Sequence, residues 1–365
     1  MKQFISDVSQ KSFPLREQVT NRRMRNRFII MCLVFVFLSF VVANETYLFN
    51  YPANFPKPTY NFASNPLDSN IISLGRILFY DPILSADHSI SCASCHSPYN
   101  AFAHTDHDLS HGIGDAIGNR NAPALFNLAW QEKFMWDGAI HHLDMQALAP
   151  ISHPKEMGSS IDLIVNKLNK STDYQSIFYK AFGDSTATGT KLLKALSQFQ
   201  LTLVSANAKY DKVVRGEDTF NIQEKNGYQI FKTHCSNCHT EPLFSSYDFE
   251  NNGLPIDPTL NDYGRWTITN NPTDSLKFKV PSLRNLSFTY PYMHDGRFTT
   301  LKDVIHHYTN GIQISNTLSH KLIEPICLTP NEKVDLIAFL LTLNDKEFVF
   351  DKKHQFKNIT PKAKE

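Results

Sequence analysis

Two copies of one short motif hold the residues of this 365-residue sequence with the clearest chemical use. Residues 92–96 read CASCH and residues 235–239 read CSNCH. A CxxCH turn is typical of c-type haem attachment, because its two thiols bind the haem vinyl groups and its histidine ligates the iron. The sequence therefore predicts two covalently bound haem c groups, held by Cys92, Cys95, His96, Cys235, Cys238 and His239.

Zinc and disulfide interpretations of the cysteines were weighed against haem. A zinc ribbon places its two CxxC pairs roughly 15–20 residues apart, whereas these pairs lie about 140 residues apart. A disulfide would not require a histidine after each pair. Of the remaining cysteines, Cys327 stands alone, and we expect a small buried apolar residue there.

A helix must lead into each motif. Gly75 and Phe79 precede the first motif, as Gly227 and Phe231 precede the second, and this i, i+4 spacing puts each pair on one helix face. Apolar spacing predicts a further helix over 192–208, and a capping box with proline at the first helical position predicts one that starts at Thr329. We therefore expect a mainly α-helical protein with few, short strands.

Composition excludes several classes of protein. Hydrophobic residues make up 42% and charged residues 19% of the chain, which suits a globular protein with a real core. The formal net charge is +1, so no electrostatic argument supports a nucleic-acid partner.

The amino end carries an export pattern. Seven basic and two acidic residues lie within 1–27, and an uncharged run of 16 residues follows at 28–43. That run is short for a membrane-spanning helix and suits the apolar region of a signal peptide. The sequence predicts a signal peptide or N-terminal anchor over 1–43 and a periplasmic location, with inner-membrane anchoring as the alternative to cleavage.

Two haems alone would suit an electron carrier, whereas catalysis also needs an open iron position and a proton-transfer group beside it. The stretch after the first motif offers Trp136, Gln146 and Glu156. For Glu156 the alternative is a solvated surface pair with Lys155.

The chain resembles the bacterial dihaem cytochrome c peroxidase family, which includes MauG-like enzymes. The resemblance covers nearly the whole chain after residue 43, in family order. Besides the two CxxCH motifs, it rests on GRILFYDPILS, RNAPAL (120–125), FMWDGAIHHLDMQALAPISHPKEMG (134–158), FQLTLVSANAKYD (199–211), FKVPSLRNLSFTYPYMHDGRFTTL (278–301) and LTPNEKVDLIAFLLTL.

The resemblance implies a role for each matching residue. His96 is the proximal ligand of the peroxidatic haem, and His239 holds the haem at which electrons enter. Glu156 is the acid and base of O–O cleavage, Gln146 orients peroxide, and Trp136 lies on the electron path between the haems. A calcium ion is implied at the domain interface, held by Asn121, Thr289 and Pro291.

Two distal ligands follow from the resemblance with alternatives open. A histidine in the loop after the first motif occupies the sixth iron position until reduction; His111 matches best, with His104 and His107 as rivals. At the second haem the usual methionine is replaced by Tyr308, as in MauG-like members, and tyrosinate favours ferric iron. Met293 is a substitute ligand to be weighed against it.

The implied fold is two cytochrome c-like haem domains packed together, 44–210 with the peroxidatic haem and 211–350 with the second haem, followed by a basic tail over 351–365. The implied reaction is reduction of hydrogen peroxide to water by electrons from a small cytochrome c or cupredoxin, in a chain that can form a homodimer. The alternatives are a MauG-like enzyme that oxidises residues of a partner protein and a non-catalytic dihaem electron carrier.

Overall fold

Helices carry almost all the regular secondary structure in the computed structural model, which describes residues 49–356. The α-helices are α1 Ser69–Tyr80, α2 Cys92–Cys95, α3 Leu143–Gln146, α4 Leu148–Ser152, α5 Ile161–Lys170, α6 Thr172–Phe182, α7 Gly189–Leu201, α8 Lys209–Val214, α9 Ile222–His234, α10 Trp266–Thr269, α11 Leu301–His306, α12 Pro330–Leu341 and α13 Lys346–Val349. One turn of π-helix, His307–Gly311, continues α11.

The described part of the chain has one sheet of two short strands, β1 Phe249–Glu250 and β2 Phe278–Lys279, paired antiparallel with Phe249 opposite Lys279. The prediction of a mainly α-helical protein is thereby confirmed. The predicted signal peptide or anchor lies outside the described residues. No helix within residues 49–356 is long and apolar enough to cross a membrane.

Both helices that lead into the motifs cross a partner helix at very close range. A Cβ atom on Gly75 of α1 would lie 1.8 Å from the carbonyl oxygen of Ala195 in α7. One on Gly227 of α9 would lie 1.9 Å from the carbonyl oxygen of Asp335 in α12. Since only glycine fits at either crossing, the two predicted Gly–Phe helices are bound to their partners in the same way.

Two hydrophobic clusters form the core, and an aromatic triangle recurs in both. The larger cluster packs around α1 and α7, and the smaller around α9 and α12. Their fully buried triangles are Phe79, Phe102 and Phe199 in the first and Phe231, Phe244 and Phe339 in the second. A domain boundary after residue 210 stays a prediction, since Tyr210 already packs in the smaller cluster and Phe348 of α13 packs in the larger one.

The helix predicted over 192–208 is too long at its carboxyl end. Helix α7 ends at Leu201, where the Thr202 hydroxyl donates to the carbonyl of Phe199. Further along, the backbone N–H groups of Ala206 and Asn207, within the predicted helix, donate to the Asp345 carboxylate at 2.9 and 2.8 Å instead of to helix carbonyls. This acceptor lies almost 140 residues away in the chain, so local apolar spacing could not reveal it.

The helix predicted to start at Thr329 is confirmed. Thr329 and Glu332 form the capping box, and Pro330 is the first helical residue. Cys327, just before it, is exposed. The expectation of a buried cysteine was wrong.

The two CxxCH motifs are the part of an internal repeat that is visible in the sequence. In the structure the repeat extends well beyond them. Asn127 and Asn285 both have left-handed backbone and start a one-turn 3₁₀ helix. Met135 and Met293 also share left-handed backbone. A β-bridge encloses each of them, between residues 134 and 140 and between residues 292 and 298. We call residues 120–147 and 278–305, which hold these shared features, the first and second repeat segments.

The two repeat segments exchange a reciprocal pair of hydrogen bonds. The Asn121 N–H donates to the carbonyl of His294 at 2.7 Å, and the Lys279 N–H donates to the carbonyl of Trp136 at 2.7 Å. In the repeat, Asn121 corresponds to Lys279 and Trp136 corresponds to His294. Each segment therefore binds the other through the same two positions.

Candidate dihaem site

The first CxxCH motif forms a single helical turn, α2, that fixes its histidine. The His96 N–H donates to the carbonyl of Cys92, and the ring nitrogen Nδ1 lies 2.9 Å from the carbonyl of Phe102. A carbonyl can only accept, so Nδ1 carries the proton and the Nε2 lone pair is free to bind a metal. Burial lowers the pKa of His96 to about 4, which keeps the imidazole neutral, as an iron ligand must be.

The second motif repeats this arrangement. The His239 Nδ1 atom faces the carbonyls of Phe244 and Pro281 at 3.2 and 3.1 Å, and burial lowers the pKa of His239 to about 4. Both CxxCH motifs thus present a neutral histidine with a free Nε2 atom, beside two cysteines that form no disulfide. Burial raises the pKa of Cys92 and Cys235 to about 12, so both are neutral thiols.

A cavity of about 290 Å³ lies against the second motif. This volume is close to that of small cofactor pockets. Cys235, Cys238 and His239 line one part of it, and its wall, mostly apolar, reaches Trp136 and Gln146 of the first repeat segment. A planar, largely apolar group attached to the second motif therefore fits the residues present.

Trp136 lies half-buried on this cavity wall with its indole fixed. The indole N–H donates to the carbonyl of Asn121 at 2.9 Å, while the Trp136 carbonyl accepts from Lys279. The first bond fixes the ring within its own repeat segment and the second joins the Trp136 backbone to the other segment, so a role on an electron path stays a prediction.

Gln146 and Glu156 are placed by different elements. Gln146 ends α3, is buried on the cavity wall and directs its Nε2 atom to the Met135 sulfur at 4.0 Å. The Glu156 backbone is held by His153 and Ile113. No hydrogen bond joins Gln146 to Glu156 within residues 49–356, so their joint action on peroxide stays a prediction.

The Glu156 carboxyl belongs to the surroundings of the first motif. Burial raises the pKa of Glu156, and its charge in turn raises the pKa of the Cys95 thiol. Its side chain is 31% exposed and lies 3.9 Å from the ring of His153. The Lys155 ammonium faces Asn119 at 3.5 Å, so the alternative of a Glu156–Lys155 surface pair is not what the structure has.

The three histidines of the loop after the first motif form a row. His104 is hydrogen-bonded to His107 at 3.0 Å, and the His107 ring stacks on His111 at 4.0 Å. Asp115 holds the His111 Nδ1 atom at 2.8 Å, and the His111 carbonyl accepts from the Cys95 thiol at 3.6 Å. The loop thus lies against the first motif with the His111 Nε2 atom free, and ligation of iron by His111 stays a prediction.

Tyr308 lies on the π-helical turn and faces the second motif. Burial raises its pKa to about 12, and the charges of Cys235 and Cys238 act in the same direction. The side-chain amide of Asn252 lies 3.4 Å from the Tyr308 hydroxyl and 3.5 Å from the Met293 sulfur. Both rival ligands therefore line the same end of the cavity.

The predicted calcium ligands share this cavity wall, as Asn121, Thr289 and Pro291 all line it. Amide and carbonyl oxygens are ligands that calcium accepts. The Asn121 carbonyl, however, already accepts the Trp136 N–H. No group of three His, Cys, Asp or Glu residues within 49–356 is placed to hold a metal ion, so such a site would depend on neutral oxygens, and calcium stays a prediction.

Sequence reasoning missed three polar groups beside these residues. Arg120 binds Asp137 at 2.5 Å and Asp262 at 2.6 Å, which joins the first repeat segment to a distant loop. Asn252 serves both Tyr308 and Met293, and Lys279 lies on the cavity wall. Arg120 and Lys279 lie in the stretches RNAPAL and FKVPSLRN, which was their only sequence signal, whereas Asn252 lies in neither.

Comparison with known proteins finds relatives over most of the chain. The family profile described as "Di-haem cytochrome c peroxidase" matches residues 69–219. The methylamine utilization protein MauG of Methylorubrum extorquens is 36% identical over 307 residues, which cover 81% of this chain and 83% of that protein. The cytochrome c551 peroxidase of Nitrosomonas europaea is 34% identical over 288 residues, which cover 77% of this chain and 82% of that one.

Among solved structures, a MauG-like protein associated with microbial copper homeostasis has a TM-score of 0.77 at 31% identity and covers 85% of this chain and 99% of its own. The diheme peroxidase BthA of Burkholderia thailandensis has a TM-score of 0.68 at 23% identity over 78% of this chain and 88% of its own, which shows a shared fold. Peroxidases and MauG proteins both stand among the relatives, so the peroxidase interpretation and its MauG-like alternative both fit. With identity above 30% across most of both chains, this chain belongs to the di-haem cytochrome c peroxidase family.

Proposed function

We propose that this chain is an exported dihaem peroxidase that reduces hydrogen peroxide to water with electrons from a small cytochrome c or cupredoxin. The observation that carries the proposal is the Glu156 carboxyl, which lies by the first CxxCH motif with a pKa raised by burial. A carboxyl whose pKa is raised holds a proton more readily and can return it during the reaction, and a plain electron carrier has no use for such a group.

The residues divide the work as follows. When bound, the two haems supply the redox-active iron that breaks the O–O bond and passes electrons. His96 and His239 ligate the two irons through their free Nε2 atoms. Glu156 takes a proton from one peroxide oxygen and gives it to the other, so that the leaving oxygen departs as water, while the Gln146 amide donates a hydrogen bond that orients peroxide.

The internal repeat supports the assignment of peroxide chemistry to the first haem. Trp136 corresponds to His294, so Tyr308 in the second copy corresponds to Pro150 in the first. Proline has no side-chain donor for a metal. The first site thus lacks the ligand that Tyr308 can supply to the second, so its iron can accept peroxide once His111 has left. Electrons enter at the second haem, in a domain of residues 211–350, and cross by Trp136 to the first, in a domain of residues 44–210.

Replacement of Glu156 by glutamine tests the proposal. We expect E156Q to lose at least about 100-fold in peroxide turnover, the usual contribution of a general acid–base group. Intact-protein mass should show both haems still attached. The matched control is E132Q, since Glu132 is an exposed carboxylate in the same half of the chain. Unchanged turnover in E156Q would remove the acid–base assignment.

A MauG-like activity, oxidation of residues in a partner protein, is the second candidate, and Tyr308 at the second motif favours it. The test adds peroxide and reduced cytochrome c to the purified protein. Consumption of both in a 1:2 ratio supports the peroxidase, whereas peroxide consumption without cytochrome oxidation supports the MauG-like enzyme. A non-catalytic carrier would leave peroxide untouched.

Location, calcium and assembly complete the proposal. We infer removal of residues 1–43 on export to the periplasm, which N-terminal sequencing of the purified protein would test.

We also infer one calcium ion at Asn121, Thr289 and Pro291. A chelator should then lower turnover, and added calcium should restore it. A homodimer predicts twice the chain mass in light scattering.

A further inference from the structure

Lys279 places a cation on the cavity wall with no carboxylate in contact. Its ammonium donates to the Gln131 side-chain oxygen at 2.7 Å and to the Lys133 carbonyl at 2.9 Å, both neutral acceptors. An ammonium group has three N–H donors, so one is left over. The side chain is half-buried and lines the cavity.

Other charged groups on this wall are balanced by the protein itself. Arg284 forms a buried pair with Asp211 at 2.7 Å, and Glu250 pairs with Lys321 at 2.7 Å. Lys279 has no ion pair within residues 49–356, and only Asp137, acting at longer range, opposes the loss of its charge. Burial lowers the pKa of Lys279 to about 7.

Desolvation of an ammonium group is costly unless an anion balances it. Lys279 therefore brings an ammonium group, bound only by neutral acceptors and the Phe134 ring among residues 49–356, to the wall of a space that fits a cofactor. Haem carries two propionate carboxylates, and a carboxylate is the acceptor that an ammonium binds most strongly.

We propose that Lys279 is the counter-ion of a propionate carboxylate of the haem attached to Cys235 and Cys238. This inference rests on the proposed binding of a second haem, and it requires no peroxide chemistry. The Lys279 backbone N–H also holds the Trp136 carbonyl, and its two ammonium acceptors belong to residues 131–133. Lys279 is thus a positioning residue that ties the second haem to the chain segment bearing Trp136.

The test measures the midpoint potentials of both haems in K279M by spectroelectrochemistry. A nearby cation stabilises the reduced haem, which carries one positive charge less, so its removal should lower the potential of the second haem. The first haem should keep its potential. Resonance Raman should show a shifted propionate bending mode in K279M, a signature that a merely structural role would not change, and K279R should restore both values.

The matched control is K277M, because Lys277 lies two residues away but pairs with Asp274 at 3.5 Å. If K279M does not accumulate with two haems, K279Q removes the charge while it keeps an N–H donor, and the same shift is expected. Unchanged potentials in the charge-removing variant, or an equal shift in K277M, would overturn the proposal. Failure of the proposed function would look different: no haem on the second motif by mass, or no peroxide turnover with normal potentials.

Discussion

At the scale of single residues, backbone carbonyls prepare two histidines for iron. Phe102 and Phe244 both have left-handed backbone, at φ 59° and 54°, and each offers its carbonyl to the histidine of its motif. The CxxCH pattern predicted which histidines would serve. It could not show what fixes their rings, since the carbonyl of Pro281 comes from 42 residues beyond His239.

Tyr308 permits a test of ligation by one hydroxyl. If it binds the second iron, Y308F should convert that haem to a high-spin form, seen in the EPR spectrum of the ferric protein. The control is Y292F, because Tyr292 lines the same cavity but gives its hydroxyl to the carbonyl of Leu286. An unchanged spectrum for Y308F would mean that Tyr308 only packs on the haem.

The acid limb of the pH profile should depend on His153. Burial raises the pKa of Glu156, and the charge of His153, whose ring lies 3.9 Å from the carboxyl, lowers it. Its removal in H153A should raise the Glu156 pKa, so the rise of kcat/KM with pH should move to higher pH. The pair is partly exposed, and the shift should stay below about one pH unit. Exposed His141 provides the control, H141A, and a shift to lower pH would contradict the pairing.

At the scale of elements, the close crossing of each motif helix with its partner is the rigid part of the fold. The Gly–Phe spacing and the capping box at Thr329 were visible in the sequence because both are local patterns. The end of α7 was not, because Asp345 supplies the acceptor from the far end of the chain. The surroundings of Lys279 likewise bring together residues far apart in the chain, because its ammonium donates to Gln131 and to the Lys133 carbonyl.

The α1–α7 crossing predicts a large effect of one methyl group. G75A would place a Cβ atom 1.8 Å from a backbone carbonyl oxygen. The two helices would have to move apart to relieve this clash. We expect a loss of about 3 kcal/mol or more in the free energy of unfolding, at the upper end for overpacked cores. G189A is the control, since its Cβ would meet only the Ile161 side chain. Equal stability of the two variants, measured by denaturant titration, would refute the crossing.

At the scale of the whole molecule, two repeat segments share one cavity. The cavity lies at the second CxxCH motif and extends to Trp136 and Gln146 of the first segment. The relatives include both peroxidases and MauG proteins. Glu156 favours the first activity and Tyr308 the second, and experiment must decide between them. A gate at His111 would make the first haem respond to reduction of the second.

The His111 gate predicts a spectrum that depends on redox state. In the wild-type protein a high-spin ferric haem should appear only after reduction by one electron, when the loop releases His111. H111A should show the high-spin ferric haem already in the protein as isolated. H107A should not, because His107 only stacks on His111, whereas the His111 carbonyl accepts from the Cys95 thiol. A high-spin haem in the untreated wild-type protein would retire His111 as a ligand and favour the MauG-like enzyme.

The reciprocal bonds between Asn121 and His294 and between Lys279 and Trp136 also bear on how the protein matures. Ribosomes synthesise the first repeat segment well before the second. The carbonyl of Trp136 therefore has no Lys279 N–H to accept from until residue 279 has been made. Until then the cavity beside Cys235, Cys238 and His239 lacks the part of its wall that the second segment supplies. That wall is therefore complete only once residues 278–305 have joined the fold.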